Sequence, residues 1–223
     1  MATLTRWNNV WSRLGCNISE NILEQHYNIL ISAYQEHQRY YHNLTHLNQV
    51  LVELDWAKNK KTELTDQEYA ELEIALWFHD VIYDPQKLDN EHQSALLFES
   101  FVQNIGLDQK IIQKISNLII LTANHRSATS PQEQLLVDCD LAILGASPDI
   151  FFKYDQNIRK EYSFVDDRIY QNARIEVLNK FLNHRHIYKT KLFQDKLEQS
   201  ARINLNNRIN LAHKIEPFPK QNF

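Results

Sequence analysis

The segment TDQEYAELEIALWFHD, residues 65–80, predicts a helix that ends in two polar residues within an apolar stretch. Thr65 and Glu68 have the spacing of a capping box, in which each side chain accepts a hydrogen bond from a backbone amide of the first turn. We therefore predict that a helix begins after Thr65 and ends near His79. The helix leads directly into Asp80, which is followed by more apolar residues.

Helical signals recur along the chain, whereas strand signals do not. Leu47, Val50, Leu51 and Leu54 follow the i, i+3, i+4, i+7 spacing of a helix with one apolar face. A second capping box lies at 130–133. We predict helices over residues 18–37, 45–60, 66–79, 90–105, 109–123, 131–144, 148–162, 167–184 and 190–213.

Composition supports an all-α fold. Only three glycines occur in 223 residues, which argues against tight β-hairpins and glycine-rich phosphate loops. Gly106 and Gly145 follow apolar helical stretches, where a C′ glycine is expected. No linker or repeat divides the chain. We therefore predict one helical domain over 1–223, with its core at about 20–213 and a loose tail at 214–223.

Charge and cysteine content exclude several classes of protein. The formal net charge is −4 with both signs scattered, which argues against non-specific binding of nucleic acid or of acidic lipid. No segment approaches the roughly 18 apolar residues of a membrane span, and the N-terminus has no signal-peptide pattern. Cys16 and Cys139 form no CxxC pair, so we expect a reducing, cytoplasmic compartment.

Three clusters of polar residues in apolar surroundings are candidates for a site. An ionised Asp80 next to His79 in an apolar stretch is costly to bury without a partner, and a metal ion is one such partner. The simpler alternative is a solvated helix end. Asp138 and Asp140 also interrupt an apolar run. Asp140 lies on the same helix face as Leu136, Cys139 and Ile143, which is more apolar than the face of Asp138. We therefore predict that Asp140 is the buried ligand and that Asp138 lies behind it or on the surface.

The third cluster is RYYHNLTHL, residues 39–47. His42 and His46 are four residues apart, but we expect the helix to begin near Thr45, so the two imidazoles need not converge. His46 precedes the apolar stripe of this helix and therefore points inward. A lone histidine in this position is more often a core residue than a metal ligand.

The order of His46, His79-Asp80 and Asp140 resembles the H…HD…D signature of the HD superfamily of metal-dependent phosphohydrolases. More narrowly, the chain resembles the bacterial group of predicted HD-type phosphohydrolases. The resemblance covers about residues 35–210. The matching stretches are RYYHNLTHL (39–47), WFHDVIYDP (77–85), DNEHQSA (89–95), DCDLAILG (138–145), IRKEY (158–162), YQNARIEVLNKFLNHRHIY (170–188) and ARINL (201–205).

The resemblance implies that His46, His79, Asp80 and Asp140 bind a divalent metal ion. Nitrogen and oxygen ligands of this kind suit Mn, Fe, Zn, Ni or Mg. Four protein ligands leave positions open for water and for a substrate oxygen, as hydrolysis requires. The implied activity is hydrolysis of a small phosphorylated molecule, for which a nucleotide is one candidate.

Other polar residues are weaker candidates. Glu91 is a candidate acid/base group, as is His125, which follows an apolar helix. Arg126 and Lys87 are candidate phosphate contacts. For each of these, an ordinary solvated side chain or a basic helix end is an equally simple explanation.

Two other functions remain open at this stage. An HD-fold di-iron oxygenase would need further histidine ligands, for which His92 and His125 are available. A non-catalytic helical module that keeps the metal for stability is the other alternative. The sequence leaves the oligomeric state open, including a homodimer.

Overall fold

The computed structural model describes residues 1–60, 63–103, 105–124 and 128–215, with side chains described as far as residue 212. These ranges contain α-helices and no β-strand, which confirms the all-α prediction. The helices are α1 (Leu4–Arg13), α2 (Glu20–Tyr34), α3 (Leu44–Lys58), α4 (Asp66–Phe78), α5 (Asn90–Val102), α6 (Gln109–Leu121), α7 (Pro131–Leu141), α8 (Pro148–Glu161), α9 (Asp167–Leu182) and α10 (Lys191–Ile215). A short 3-10 helix, Ala142–Gly145, follows α7.

The chain divides into two compact units, Met1–Asp140 and Leu141–Phe223, called here the N-terminal and C-terminal units. Within the described residues, no helix combines the length and low polarity that crossing a bilayer requires. A loose tail was predicted at 214–223. Helix α10 continues to Ile215, and the rest of that segment lies outside the described residues.

Helix α4 lies in the middle of the N-terminal unit. It packs against α1, α3, α5 and α6, and all ten residues of 69–78 are buried. The capping box predicted at its start is present, since Thr65 Oγ1 accepts a hydrogen bond from the Glu68 amide at 3.2 Å and Glu68 Oε2 accepts one from the Thr65 amide at 2.8 Å. The core around α4 therefore fixes the position of its C-terminal end, where His79 and Asp80 lie.

Helix α1 is absent from the sequence-based prediction, whose first helix began at residue 18. Thr3 caps α1 by accepting a hydrogen bond from the Arg6 amide. Trp7, Val10 and Trp11 are completely buried at i, i+3 and i+4. Trp7 packs edge-on against Trp77 of α4, with ring centroids 5.3 Å apart. The N-terminal unit therefore has a core that extends to the first helix.

In the C-terminal unit, α10 packs against α9 and against the 3-10 helix. Gly145 does not have the positive φ expected of a C′ glycine, unlike Gly106 at +72°. A Cβ atom at Gly145 would lie 2.7 Å from Leu197 Cβ and 2.9 Å from Tyr188 Oη. Glycine is needed here because α10 approaches the backbone closely, which is a tertiary requirement that no local sequence pattern reveals.

Candidate metal centre

Three helix ends of the N-terminal unit carry the predicted ligands. His46 lies in the first turn of α3, where Asn43 caps the helix by accepting a hydrogen bond from the Thr45 amide at 2.8 Å. His79 is the C-cap of α4 and Asp80 follows it. Asp140 is the penultimate residue of α7. Because these three helix ends lie close together, residues distant in sequence meet at one point.

The four side chains converge. His46 Nε2 and His79 Nε2 are 3.0 Å apart. Asp80 Oδ2 lies 3.3 Å from His46 Nε2 and 3.1 Å from His79 Nε2. Asp140 Oδ1 lies 3.2 Å and 3.6 Å from the same two nitrogens. The donor atoms of His46, His79 and Asp140 all lie within 4.8 Å of one another, a group that does not include Asp80. Asp80 contacts both imidazoles through Oδ2, and we call these four residues the His46 cluster.

The centre is buried on its histidine side and accessible on its carboxylate side. The side chains of His46 and His79 are 2% and 1% exposed, whereas those of Asp80 and Asp140 are 13% and 14% exposed. The two carboxylate side chains are therefore the part of the centre with some exposure to solvent, although the Oδ2 atom of Asp80 is itself buried.

Hydrogen bonding orients the imidazole of His79. Its Nδ1 donates to the carbonyl oxygen of Leu76 at 2.8 Å, so in the neutral ring the lone pair is on Nε2 and faces the centre. Asp80 Oδ2 is buried and accepts no hydrogen bond of ordinary geometry from the described residues. A buried carboxylate oxygen in this state calls for a positive partner.

Opposing effects set the pKa values of this cluster. Burial lowers the pKa of His79, but Asp80 and Asp140 outweigh it and raise that pKa well above 6.5. The pKa of His46 is likewise lowered by burial and raised, on balance, by Asp140 and Asp80. Burial raises the pKa of Asp80, but the charge of His79 and the neighbouring His46 lower it well below 3.8. In the absence of a metal ion, the carboxylates therefore favour protonated imidazoles, and a divalent cation would replace those protons.

The donor set fits a divalent ion. Metal–nitrogen distances in proteins are about 2.0–2.1 Å, so two ligands at right angles are about 3 Å apart. The observed separations of 3.0–3.6 Å between the imidazole nitrogens and their neighbours match that spacing. Two nitrogen and two carboxylate ligands suit the ions predicted from the sequence: Mn, Fe, Zn, Ni or Mg.

Arg39 belongs to this centre, although it was not among the site residues predicted from the sequence. Its side chain is 1% exposed and donates hydrogen bonds to the carbonyl oxygens of His42, Asp80 and Val81. The guanidinium thus ties the loop before α3 to the backbone that carries Asp80. Arginine presents five donors in a fixed fork, which a lysine cannot reproduce. Its position seven residues before His46, within RYYHNLTHL, was the available signal.

Asp138 was predicted to lie behind the ligand or on the surface, and its burial contradicts only the surface alternative. It is completely buried, whereas Asp140 is partly exposed. Helix α7 is buried over 135–139 on all its faces, so a face-by-face comparison of apolar neighbours could not rank the two carboxylates. Asp140 nevertheless is the one that reaches the imidazoles.

Two of the other four predicted residues, Glu91 and Lys87, lie in the described part of the chain. Glu91 lies partly buried in the first turn of α5, outside the group with donor atoms within 4.8 Å. Lys87 is exposed. His125 and Arg126 lie outside the described residues. The acid/base and phosphate-binding roles of these four residues stay predictions.

Of the two histidines proposed for a second metal, His125 lies outside the described residues and His92 belongs to no group of metal-ligating side chains within them. His92 is exposed, and the His46 cluster is the only such group of histidine, cysteine and acidic side chains in the described part of the chain. His42, for its part, stacks on Tyr83 with ring centroids 4.2 Å apart. The structure therefore offers support for one ion and leaves the di-iron alternative a prediction.

Comparison with protein-family models, with curated proteins and with solved structures gives no match to this chain. The resemblance to HD phosphohydrolases thus rests on the sequence motifs, and any function has to be argued from the cluster itself.

Proposed function

We propose that this chain is a metal-dependent phosphohydrolase that binds one divalent ion through His46, His79, Asp80 and Asp140. The observation that supports it is the convergence of two buried imidazole nitrogens with two carboxylates at 3.0–3.6 Å. When bound, such an ion supplies the Lewis acidity that makes water a nucleophile near neutral pH and that stabilises negative charge on phosphate.

The protein's own groups have separate tasks in this proposal. The bond from His79 Nδ1 to Leu76 keeps Nε2 directed at the ion. Asp80 and Asp140 would neutralise the charge of the metal ion. They are the partly exposed ligands of the centre, so in this proposal substrate and water approach past them. Arg39 holds the backbone at Asp80 in place. Four protein ligands leave room for the substrate and for water.

The proposed substrate is a small phosphorylated molecule, with a nucleotide as one candidate, and the proposed compartment is the cytoplasm. The basis for the proposed compartment is the sequence, in which Cys16 and Cys139 form no CxxC pair. Glu91 and His125 remain proposed acid/base groups, and Arg126 and Lys87 remain proposed phosphate contacts.

The test combines metal analysis with a phosphatase panel. The chain is stripped with a chelator, reloaded separately with Mn, Fe, Zn, Ni or Mg, and assayed for phosphate release from nucleotides and sugar phosphates. Asp80→Asn and Asp140→Asn should each lose bound metal and activity while keeping helical circular dichroism. Asp149→Asn makes the same change at an exposed carboxylate in the first turn of α8 and should retain both.

The outcomes separate the alternatives. Full metal occupancy in both cluster variants would overturn the ligand assignment. A parent chain that binds metal in the His46 cluster but releases no phosphate above the Asp80→Asn rate would be a metal-stabilised binding module. Two iron atoms per chain together with dioxygen consumption would identify an oxygenase.

A further inference from the structure

The C-terminal unit contains a large cavity that the metal centre does not use. It has a volume of about 920 Å³ and is lined by residues of α8, α9 and α10. Small-molecule sites typically occupy about 300–1,000 Å³ and combine apolar walls with a few placed polar groups. In size, this cavity corresponds to such a site.

Apolar side chains form part of the cavity lining. The cavity is lined by Phe152 of α8, Ile175 of α9 and Leu211 of α10. Phe152 and Leu211 are 53% and 47% exposed. Large apolar side chains exposed at a concave surface lose contact with water when a ligand covers them. The cavity can therefore stabilise an apolar or aromatic body.

The polar part of the lining is basic. Arg159, Lys160, Arg168 and Arg208 contribute four positive charges, against two negative charges from Asp155 and Asp167. The cavity thus has a formal excess of two positive charges on a chain with a net charge of −4. This local excess favours an anion over a cation or a neutral molecule.

Both carboxylates of the lining are already bonded to arginines. Asp167 Oδ1 accepts hydrogen bonds from Arg159 at 2.6 Å and 3.0 Å. Asp155, 8% exposed, accepts bonds from both Arg174 and Arg208. Arg208 is also held by Gln171, whose Oε1 lies 2.6 Å from Nη2. Arg159 and Arg208 are therefore held in place before any ligand arrives, which lowers the entropic cost of binding.

We propose that this cavity binds an amphipathic anion, a small molecule with an apolar or aromatic body and one carboxylate, sulfonate or phosphate head. The body covers Phe152, Ile175 and Leu211, and the head lies near the basic residues. This inference is independent of phosphate hydrolysis, because none of the lining residues belongs to the metal cluster.

The test uses 8-anilinonaphthalene-1-sulfonate as a fluorescent probe on the full chain. We expect saturable binding of one probe per chain and displacement by decanoate. Octyl glucoside, which has the body without the charge, and inorganic phosphate, which has the charge without the body, should not displace it at equal concentration. Equal displacement by either of them, or the absence of saturable binding, would overturn the proposal.

Matched variants locate the probe. Phe152→Ala should weaken probe binding about fivefold. The control is Phe164→Ala, at a phenylalanine that is 52% exposed and outside the lining, and it should leave probe binding unchanged.

The charges are tested by a double variant of the lining, Lys160→Gln/Arg168→Gln, which should weaken probe binding roughly fivefold. The control pair outside the lining, Lys153→Gln/Lys180→Gln, should not weaken it. All four positions of the double variants are exposed, so folding should be kept. Equal losses in cavity and control variants would place the probe elsewhere and refute the site.

Discussion

At the scale of single residues, Arg39 makes the proposed metal centre depend on a side chain that acts through backbone carbonyl oxygens. Arg39→Lys keeps the charge but cannot donate to three carbonyl oxygens in a fixed geometry. We expect metal affinity to fall by about tenfold, the usual cost of losing a group that orients a ligand. Titration of the chelator-stripped chain with Mn or Zn measures this.

The C-terminal unit provides the control for that substitution. Arg159 also donates to two backbone carbonyl oxygens, those of Tyr162 and Val165, but in a unit that lacks the metal ligands. Arg159→Lys removes a bridge of the same kind and should leave metal affinity unchanged. If Arg39→Lys binds metal as tightly as the parent chain, the positioning role is wrong.

The raised pKa values of His46 and His79 predict how metal binding depends on pH. Binding requires unprotonated Nε2 atoms, and protons occupy these rings at pH values above the ordinary 6.5. Metal affinity should therefore fall as the pH decreases, beginning above pH 6.5. Calorimetry in buffers of different ionisation enthalpy should detect proton release on binding near neutral pH. An affinity that does not change between about pH 8 and pH 6 would contradict this.

The same shifts determine the pH dependence of the metal-free chain. A histidine whose folded-state pKa is raised stabilises the fold below its unfolded pKa, and that stabilisation is lost as the pH rises through the raised value. Asp80 acts in the opposite sense, because its pKa is lowered in the folded state. Its contribution to stability is complete above the pKa of the unfolded state and is lost only in strong acid, as the pH falls through the lowered pKa.

Residue identity was more predictable than residue environment. The sequence motifs selected His46, His79, Asp80 and Asp140, which do converge. They could not rank Asp138 against Asp140 by burial, because α7 is surrounded by the core and carries no exposed face at 135–139. Arg39 was missed because the hydrogen bonds that connect it to the centre go to backbone carbonyl oxygens, so its place within RYYHNLTHL indicated no particular partner.

At the scale of secondary structure, the capping box of α4 offers a direct test. Thr65 caps the helix that ends in His79 and Asp80, so Thr65→Ala should lower the free energy of unfolding by about 1 kcal/mol. Chemical denaturation followed by tryptophan fluorescence measures the change. Ser130→Ala should have a similar effect at α7, because Ser130 Oγ accepts a hydrogen bond from the Glu133 amide at 3.2 Å.

Ser19 is the matched control for both caps. It is the N-cap of α2 in the same N-terminal unit, but its side chain makes no capping hydrogen bond. Ser19→Ala should therefore change the stability by a few tenths of a kcal/mol at most. A loss at Ser19 as large as that at Thr65 would show that the capping hydrogen bonds are not the source of the effect.

Helices were predictable where local chemistry marks their ends. Both capping boxes were correct, and the nine predicted helices overlap α2 to α10. Helix α1 was missed because its apolar content is small and its mean polarity is high, although Thr3, Trp7, Val10 and Trp11 carry the signal in retrospect. The end of α7 was placed too late, since the chain changes to a 3-10 helix at Ala142.

At the scale of the whole molecule, all four tryptophans, Trp7, Trp11, Trp56 and Trp77, belong to the N-terminal unit, together with every proposed metal ligand. Tryptophan fluorescence therefore reports specifically on the unit that would bind the ion. Far-UV circular dichroism reports on the helices of both units. The two signals together make the effect of metal on each unit measurable in the intact chain.

A ligand that binds only the folded state stabilises it by mass action, by about 2.7 kcal/mol at one hundred times its dissociation constant. The thermal midpoint detected by tryptophan fluorescence should therefore rise with metal concentration and fall again when a chelator is added. Asp140→Asn removes a ligand at a partly exposed position, so its midpoint should no longer respond to metal, whereas Asp149→Asn should respond as the parent chain does. A response in Asp140→Asn equal to that of the parent would mean that metal stabilises this fold from somewhere other than the His46 cluster.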